Sequence, residues 1–238
     1  MKEKYIFIDK CVFFPGEGIL VVGDLHLGYE AMMKSGGVNI PLNQVRECIS
    51  QLEDVFVDLK KRKFVLKKIV LLGDVKHAFR FEKPEIFDVR EVLNFLSDKV
   101  GRENVILIKG NHDTFSLSGF ELRDYFTEGD IAFFHGHKEF VELYDTKIKY
   151  LVMGHAHPSV TLRDSAGVKK EKFKCYLTGK WKKKEIIVLP SFLDINYGTD
   201  VDEYDDFGVV PSKIFKTFDV HVISDSGEVF RFGKVGEL

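Results

Sequence analysis

Residues 20–30 read LVVGDLHLGYE. The apolar run Leu20-Val21-Val22 stops at Gly23 and delivers Asp24 and His26, two residues apart. An apolar run without polar alternation fits a strand buried on both faces. Seen once, its ending reads as an aspartate capping a turn and a histidine in water. The same ending recurs four times. Lys68–Leu72 runs into Gly73-Asp74-Val75-Lys76-His77, and Val105–Ile108 into Gly110-Asn111-His112-Asp113. Ile131–Phe134 runs into His135-Gly136-His137, and Tyr150–Met153 into Gly154-His155-Ala156-His157. Of the eight histidines, only His221 lies outside these five clusters, which is far from chance placement.

Outward from these strands, Tyr5–Ile8 and Cys11–Phe14 read as two more. Asn43 is a candidate N-cap for a helix carrying Val45, Ile49, Leu52, Val55, Phe56 and Leu59 at helical spacing. Pro84 opens a second helix, with Ile86, Val89, Val92, Leu93 and Leu96 on one side. After Pro158 the texture changes to short strands: Ser159–Arg163, Lys172–Leu177, Ile186–Leu189, Val220–Ser224 and Glu228–Phe232. The turn signals DSAG and SDSG among them suggest hairpins. A βαβαβ first half thus precedes a mostly antiparallel second half. The expected class is α/β, with two sheets packed face to face between helical layers, in one domain over residues 1–238.

Composition bounds the function. With 45% hydrophobic and 30% charged residues the chain is an ordinary globular protein. No apolar run approaches the roughly 20 residues of a membrane helix, and the N-terminus has no secretory h-region, so no membrane association and a cytoplasmic location are expected. Cys11, Cys48 and Cys175 are far apart, odd in number and form no CxxC pair, so neither a disulfide framework nor a zinc cluster is indicated. A net charge of −2 argues against whole-surface binding of nucleic acid, though not against a local groove. Basic runs at 60–63 with 67–68, and KWKKK at 180–184 with a tryptophan that could stack on a base, read more simply as solvated lysines. Arg80 and Lys83 are better placed to meet a phosphate, and the acidic stretch 200–206 reads as a surface loop. Glutamine occurs only at positions 44 and 51.

In open α/β sheets ligands gather outside the carboxyl ends of strands, and five such ends are expected to meet at one site here. Imidazole, carboxylate and amide oxygen together suit first-row ions: Mn²⁺, Fe or Zn²⁺. The i, i+2 spacing of Asp24/His26 and of His155/His157 puts each pair on one side of an extended segment. The ordered series GDLH, GDVKH, GNHD, HGH and GHAH resembles the calcineurin-like metallophosphoesterase superfamily. That resemblance implies a four-layer α/β-β/α sandwich of two mixed sheets flanked by helices, with two divalent metal ions. By the same resemblance Asp24, His26 and His157 hold one ion and Asn111, His135 and His155 the other, with Asp74 bridging. His112 would contact the scissile phosphate and help the leaving oxygen depart, with Asp113 orienting it. For His137 a role at the site and an outer-shell or solvated position both stay open, with His135 taken as the ligand of the pair.

The second motif bears on the substrate. Protein phosphatases of this superfamily continue with Asp-Arg-Gly, whereas this chain reads Asp74-Val75-Lys76-His77. A histidine three residues after the bridging aspartate is similar to SbcD-type repair nucleases, which implies that His77 lies beside His112 and assists phosphodiester cleavage. DLHLGYE, GDVKH, GNHD and LPSFLDINYGTDV (189–201) resemble the SbcD-related, DNA-ligase-associated metallophosphoesterases over nearly the whole chain. The implied activity is that of a Mn²⁺-dependent phosphodiesterase acting on single-stranded DNA by attack of a metal-activated water. DNA-repair helicases or ligases are the implied partners. No segment is long enough for the DNA-capping domain of the larger repair nucleases. The alternative is a small-molecule phosphatase or cyclic-nucleotide phosphodiesterase on the same metals. A scaffold that has lost catalysis is disfavoured, because all seven implied ligands and His112 are present.

Overall fold

The computed structural model describes residues 3–37, 43–78, 83–113, 119–163, 169–192, 198–201 and 206–238. Its strands are β1 (Ile6–Ile8), β2 (Cys11–Phe14), β3 (Ile19–Val22), β4 (Lys68–Leu71), β5 (Val105–Ile108), β6 (Leu122–Arg123), β7 (Tyr125–Glu128), β8 (Ile131–Phe134) and β9 (Tyr150–Met153). The second half adds β10 (Pro158–Arg163), β11 (Lys170–Trp181), β12 (Lys184–Val188), β13 (Thr199–Asp200), β14 (Asp206–Phe207), β15 (Val210–Pro211), β16 (Asp219–Ile223) and β17 (Val229–Lys234). The helices are α1 (Tyr29–Ser35), α2 (Gln44–Lys61), α3 (Lys83–Val100) and the single turn α4 (Ser212–Phe215).

One sheet runs β1-β2-β3-β4-β5-β6, antiparallel through β3 and parallel from there on. The other runs β13-β10-β11-β12-β9-β8-β7, with β16 beside β11 and β17 beside β16. Within it β8, β9 and β12 are parallel. The unbroken apolar runs follow from burial on both faces. Leu20, Val22, Ile69, Leu71 and Leu107 meet Leu52, Val55, Leu59, Val92 and Leu96 of α2 and α3. Their alternates Ile19, Val21, Val70, Leu72 and Ile106 meet Ile131, Phe133, Val152 and Ile187 of the other sheet. That sheet's outer face, with Phe134, Leu151, Met153 and Val188, packs against Leu143 of a 3₁₀ turn and Phe215 of α4. Two mixed sheets flanked by helices are therefore the architecture, with the thinner helical layer over the second sheet.

The Asn43 side chain accepts a hydrogen bond from the Arg46 N–H at 3.1 Å, which caps α2. Asn43→Ala is expected to cost about 1 kcal/mol of stability, read by denaturant unfolding. At the other end of the chain β11 is longer than its expected span. It pairs in turn with β10 through residues 170–174, with β16 through 175–178 and with β12 through 177–181. The SDSG turn closes the β16–β17 hairpin through Gly227 N–H to Ser224 O at 2.9 Å, while DSAG lies outside the described residues. Among the described residues, no helix is long and apolar enough to cross a membrane.

Candidate metal centre

β3, β4 and β5 of one sheet and β8 and β9 of the other end at the same place. Asp24 is fully buried at the end of β3, and its carboxylate accepts the His155 N–H from the end of β9 at 3.1 Å. Asp74, after β4, accepts the His112 N–H at 2.8 Å. The glycines beside these carboxylates are there for clearance. A Cβ on Gly110 would stand 2.1 Å from Asp74 Oδ1, and one on Gly154 would stand 2.6 Å from Asp24 Oδ2. His26, Asp74, His155 and His157 hold φ of 43°, 46°, 67° and 43°. Such left-handed backbone costs about 1–3 kcal/mol per residue and persists only where the surroundings impose it.

All seven residues singled out as ligands come together, in two groups. Asp24, His26 and His157 each offer a ligand atom within 4.8 Å of one another, and so do Asp74, His135 and His155. Asn111 Oδ1 joins the second group at 2.9 Å from His135 Nε2. Asp74 Oδ2 faces both, at 3.4 Å from His135 Nε2 and 3.8 Å from His26 Nε2. A third group, His26, His77 and His112, adjoins them. His77 stacks on His112 with ring centroids 5.5 Å apart, and Tyr29 sets its edge against His77 at 4.7 Å.

The donor set fits divalent cations. His135 Nδ1 faces the Leu72 carbonyl at 2.8 Å; a carbonyl only accepts, so Nδ1 carries a proton and Nε2 is the atom left to meet an ion, on giving up its own proton. His26 Nε2 and His157 Nε2 are 3.3 Å apart, and His155 Nδ1 and His135 Nε2 3.1 Å. Nitrogens around a tetrahedral first-row ion at about 2.0–2.1 Å stand about 3.4 Å apart, close to these values. Electrostatics agree. Burial works against a charge on His135, yet the Asp24 and Asp74 carboxylates outweigh it and raise its pKa to about 9. Burial likewise opposes the charge on Asp24, but His157 and His135 hold its carboxyl below the usual carboxylate range. Burial and the neighbouring His157 push His26 down to about 3. The two carboxylates draw positive charge to His135, while burial keeps His26 and His155 neutral, the state a metal ligand needs.

Other expectations fall out differently. The His112 ring is oriented by the His77 carbonyl, 2.5 Å from its Nδ1. Asp113, expected to orient that ring, is buried and instead ties turns together, accepting from Gly110 N–H at 3.0 Å, Lys76 N–H at 3.4 Å and Val75 N–H at 3.5 Å. His137 sits 5.2 Å from the His135 ring, its Nδ1 buried, and burial with the nearby His135 lowers its pKa to about 4. Trp181 is buried and offers no stacking face, and Lys184 Nζ is committed to the Ile148 carbonyl at 2.6 Å. The run 60–63 lies at the far end of α2, about 25 Å of helix from Gln44. Arg80 lies outside the described residues, as do positions 202–205 of the acidic stretch.

Residues given no role at the metals from the sequence also shape the centre. Phe192 N–H and Ser191 Oγ–H both donate to the Asp24 carbonyl, at 2.9 and 3.2 Å, and Lys174 Nζ holds the Ser191 carbonyl at 2.6 Å. Gly208 packs so closely that a Cβ there would stand 2.3 Å from the Gly136 carbonyl and 2.8 Å from the His155 ring.

The calcineurin-like phosphoesterase family matches the chain over residues 18–224. No curated protein matches it significantly. Among solved structures it is similar to Pseudomonas putida nuclease MPE, with 16% identity, a TM-score of 0.61, and 95% of this chain and 94% of that one covered. It is also similar to Entamoeba histolytica Vps29 complexed with zinc, with 16% identity, a TM-score of 0.39, and 90% and 98% covered. With five strand ends delivering two groups of metal-competent side chains, and the family spanning all of them, the chain belongs to the calcineurin-like phosphoesterases, metal-dependent hydrolases of phosphate esters.

Proposed function

We propose that the protein is a two-metal phosphodiesterase of the SbcD-related, DNA-ligase-associated kind, cutting single-stranded DNA with Mn²⁺. The observation that carries this reading is the stacked His77–His112 pair beside the two ligand groups, each with a histidine facing Asp74 Oδ2. Asp24, His26 and His157 would hold one ion, Asn111, His135 and His155 the other, and Asp74 both. When bound, such ions supply Lewis acidity and a water of lowered pKa. The chain supplies the rest. His112, with Nδ1–H given to the His77 carbonyl, turns Nε2 toward Asp74 and the open side of the centre, where it can protonate a leaving oxygen. Burial lowers the pKa of His77, so it is neutral at pH 7 and extends the polar floor to where the second ester arm of a diester would lie. Residues 1–238 form one domain in this reading, working in the cytoplasm alongside repair helicases or ligases. The nuclease activity named for the P. putida protein agrees with it.

Purified protein with Mn²⁺ should cut circular single-stranded DNA and hydrolyse bis-p-nitrophenyl phosphate. Hydrolysis of the monoester alone, or of cyclic nucleotides alone, would replace this reading with the small-molecule one. His77→Ala should lower diester turnover roughly tenfold or more, the worth of one hydrogen bond to a charged phosphate, and spare monoesters. Equal losses on both substrates would remove the reason for preferring a diesterase.

A further inference from the structure

The turns that carry Asp24/His26 and Asp74/His77 run side by side. His26 N–H donates to the Asp74 carbonyl at 2.9 Å, Leu27 N–H to Val75 at 3.0 Å, and His77 N–H back to Leu27 at 2.9 Å. This zipper is flanked by the beginnings of two helices. From α3, Glu85 Oε1 accepts the N–H groups of His77 and Ala78 at 2.8 and 2.6 Å. From α2, the first residue, Gln44, is only 7% exposed and grips the His26 turn at two points. Its Nε2–H donates to the His26 carbonyl at 2.8 Å, and its Oε1 accepts the Gly28 N–H at 3.1 Å. Its own backbone N–H is fixed to Glu30 Oε2 at 3.2 Å.

We infer that Gln44 is the positioning residue for His26: its carboxamide locks the left-handed turn that aims the His26 imidazole at Asp24 and His157. The inference rests on the reading of His26 as a ligand of a divalent cation. A terminal donor and acceptor on a side chain of this reach is what a carboxamide offers, and asparagine is one methylene shorter. At φ 43° His26 gains nothing from its own backbone preference, so the turn depends on what grips it from outside. Without the carboxamide, the buried His26 carbonyl and Gly28 N–H each lose a partner, and the turn can relax toward φ below zero and swing the ring away.

Gln44→Met keeps length and burial and removes both hydrogen bonds. Gln44→Glu keeps the acceptor for Gly28 but turns an oxygen toward the His26 carbonyl. Mn²⁺ binding by calorimetry to the full chain, kcat and KM for bis-p-nitrophenyl phosphate, and the Tm of the metal-free protein separate the outcomes. Wild type should bind two Mn²⁺. In Gln44→Met one of them should weaken about tenfold or more, with kcat lowered and KM little changed. Gln44→Glu should do the same, and it carries the test should the methionine variant not fold. Two sites of wild-type affinity with normal kcat, or a lower Tm with unchanged Mn²⁺ binding, would make Gln44 a packing residue and overturn the inference. Wild type that binds no Mn²⁺ would instead sink the metal reading on which it rests, and that result needs no variant.

Discussion

Asp74→Asn is expected to lower phosphodiester turnover about 1000-fold without unfolding the protein. Asparagine tolerates the left-handed backbone that Asp74 adopts at φ 46°. It also has the same outline, which matters where a Cβ on Gly110 would stand 2.1 Å from the side chain. Its amide oxygen can still accept the His112 N–H that Asp74 accepts at 2.8 Å. What disappears is the charge that faces His26 and His135 at 3.8 and 3.4 Å, a member of each ligand group. Losing several kcal/mol of charge stabilisation at a metal pair corresponds to about three powers of ten in rate. Asp74→Ala should be at least as severe, since it also orphans the His112 N–H. Both variants are read by kcat/KM against Mn²⁺ concentration, beside the Tm of the metal-free protein. Near-normal turnover in either would discredit the assignment of Asp74 as the shared ligand.

Part of this centre was legible because burial on both faces writes an unmistakable pattern. β2, β3, β5, β8 and β9 begin and end where the apolar runs do. The ligand clusters follow directly, since a strand fixes where its last residues point. What was illegible depends on partners far away in the chain. β11 outruns its apolar stretch because three strands pair with it in succession, and no local pattern announces that. The KWKKK run reads in sequence as solvated lysines beside a tryptophan that could stack on a base. In the fold Trp181 is buried and Lys182 stands over it, 4.4 Å from the ring centroid. The grip of Ser191 and Phe192 on Asp24 spans more than 160 residues, and that of Gln44 on His26 joins a helix start to a turn 18 positions earlier. Asp113 shows the same limit: its neighbour in sequence is His112, but its hydrogen bonds reach into the turn after Asp74.

His112→Gln should separate the two kinds of substrate, lowering cleavage of DNA about 1000-fold and of bis-p-nitrophenyl phosphate far less. General-acid catalysis contributes about 10²–10⁴ in rate, but only where the leaving group needs a proton. A sugar alkoxide needs one; nitrophenolate departs as a stable anion. The proposed role is that of a proton donor and not merely of a binding group, and the geometry is compatible with it. Its Nδ1–H is spent on the His77 carbonyl at 2.5 Å, so any proton it delivers must come from Nε2. That nitrogen lies 3.9 Å from Asp74 Oδ2, on a side chain that keeps 16% of its surface open to solvent and can be recharged from water. Glutamine can still donate a hydrogen bond to a phosphate oxygen but cannot surrender a proton, so simple binding survives the change. A variant that loses the same factor on both substrates would therefore assign His112 to phosphate binding, and the leaving oxygen would have to find its proton elsewhere.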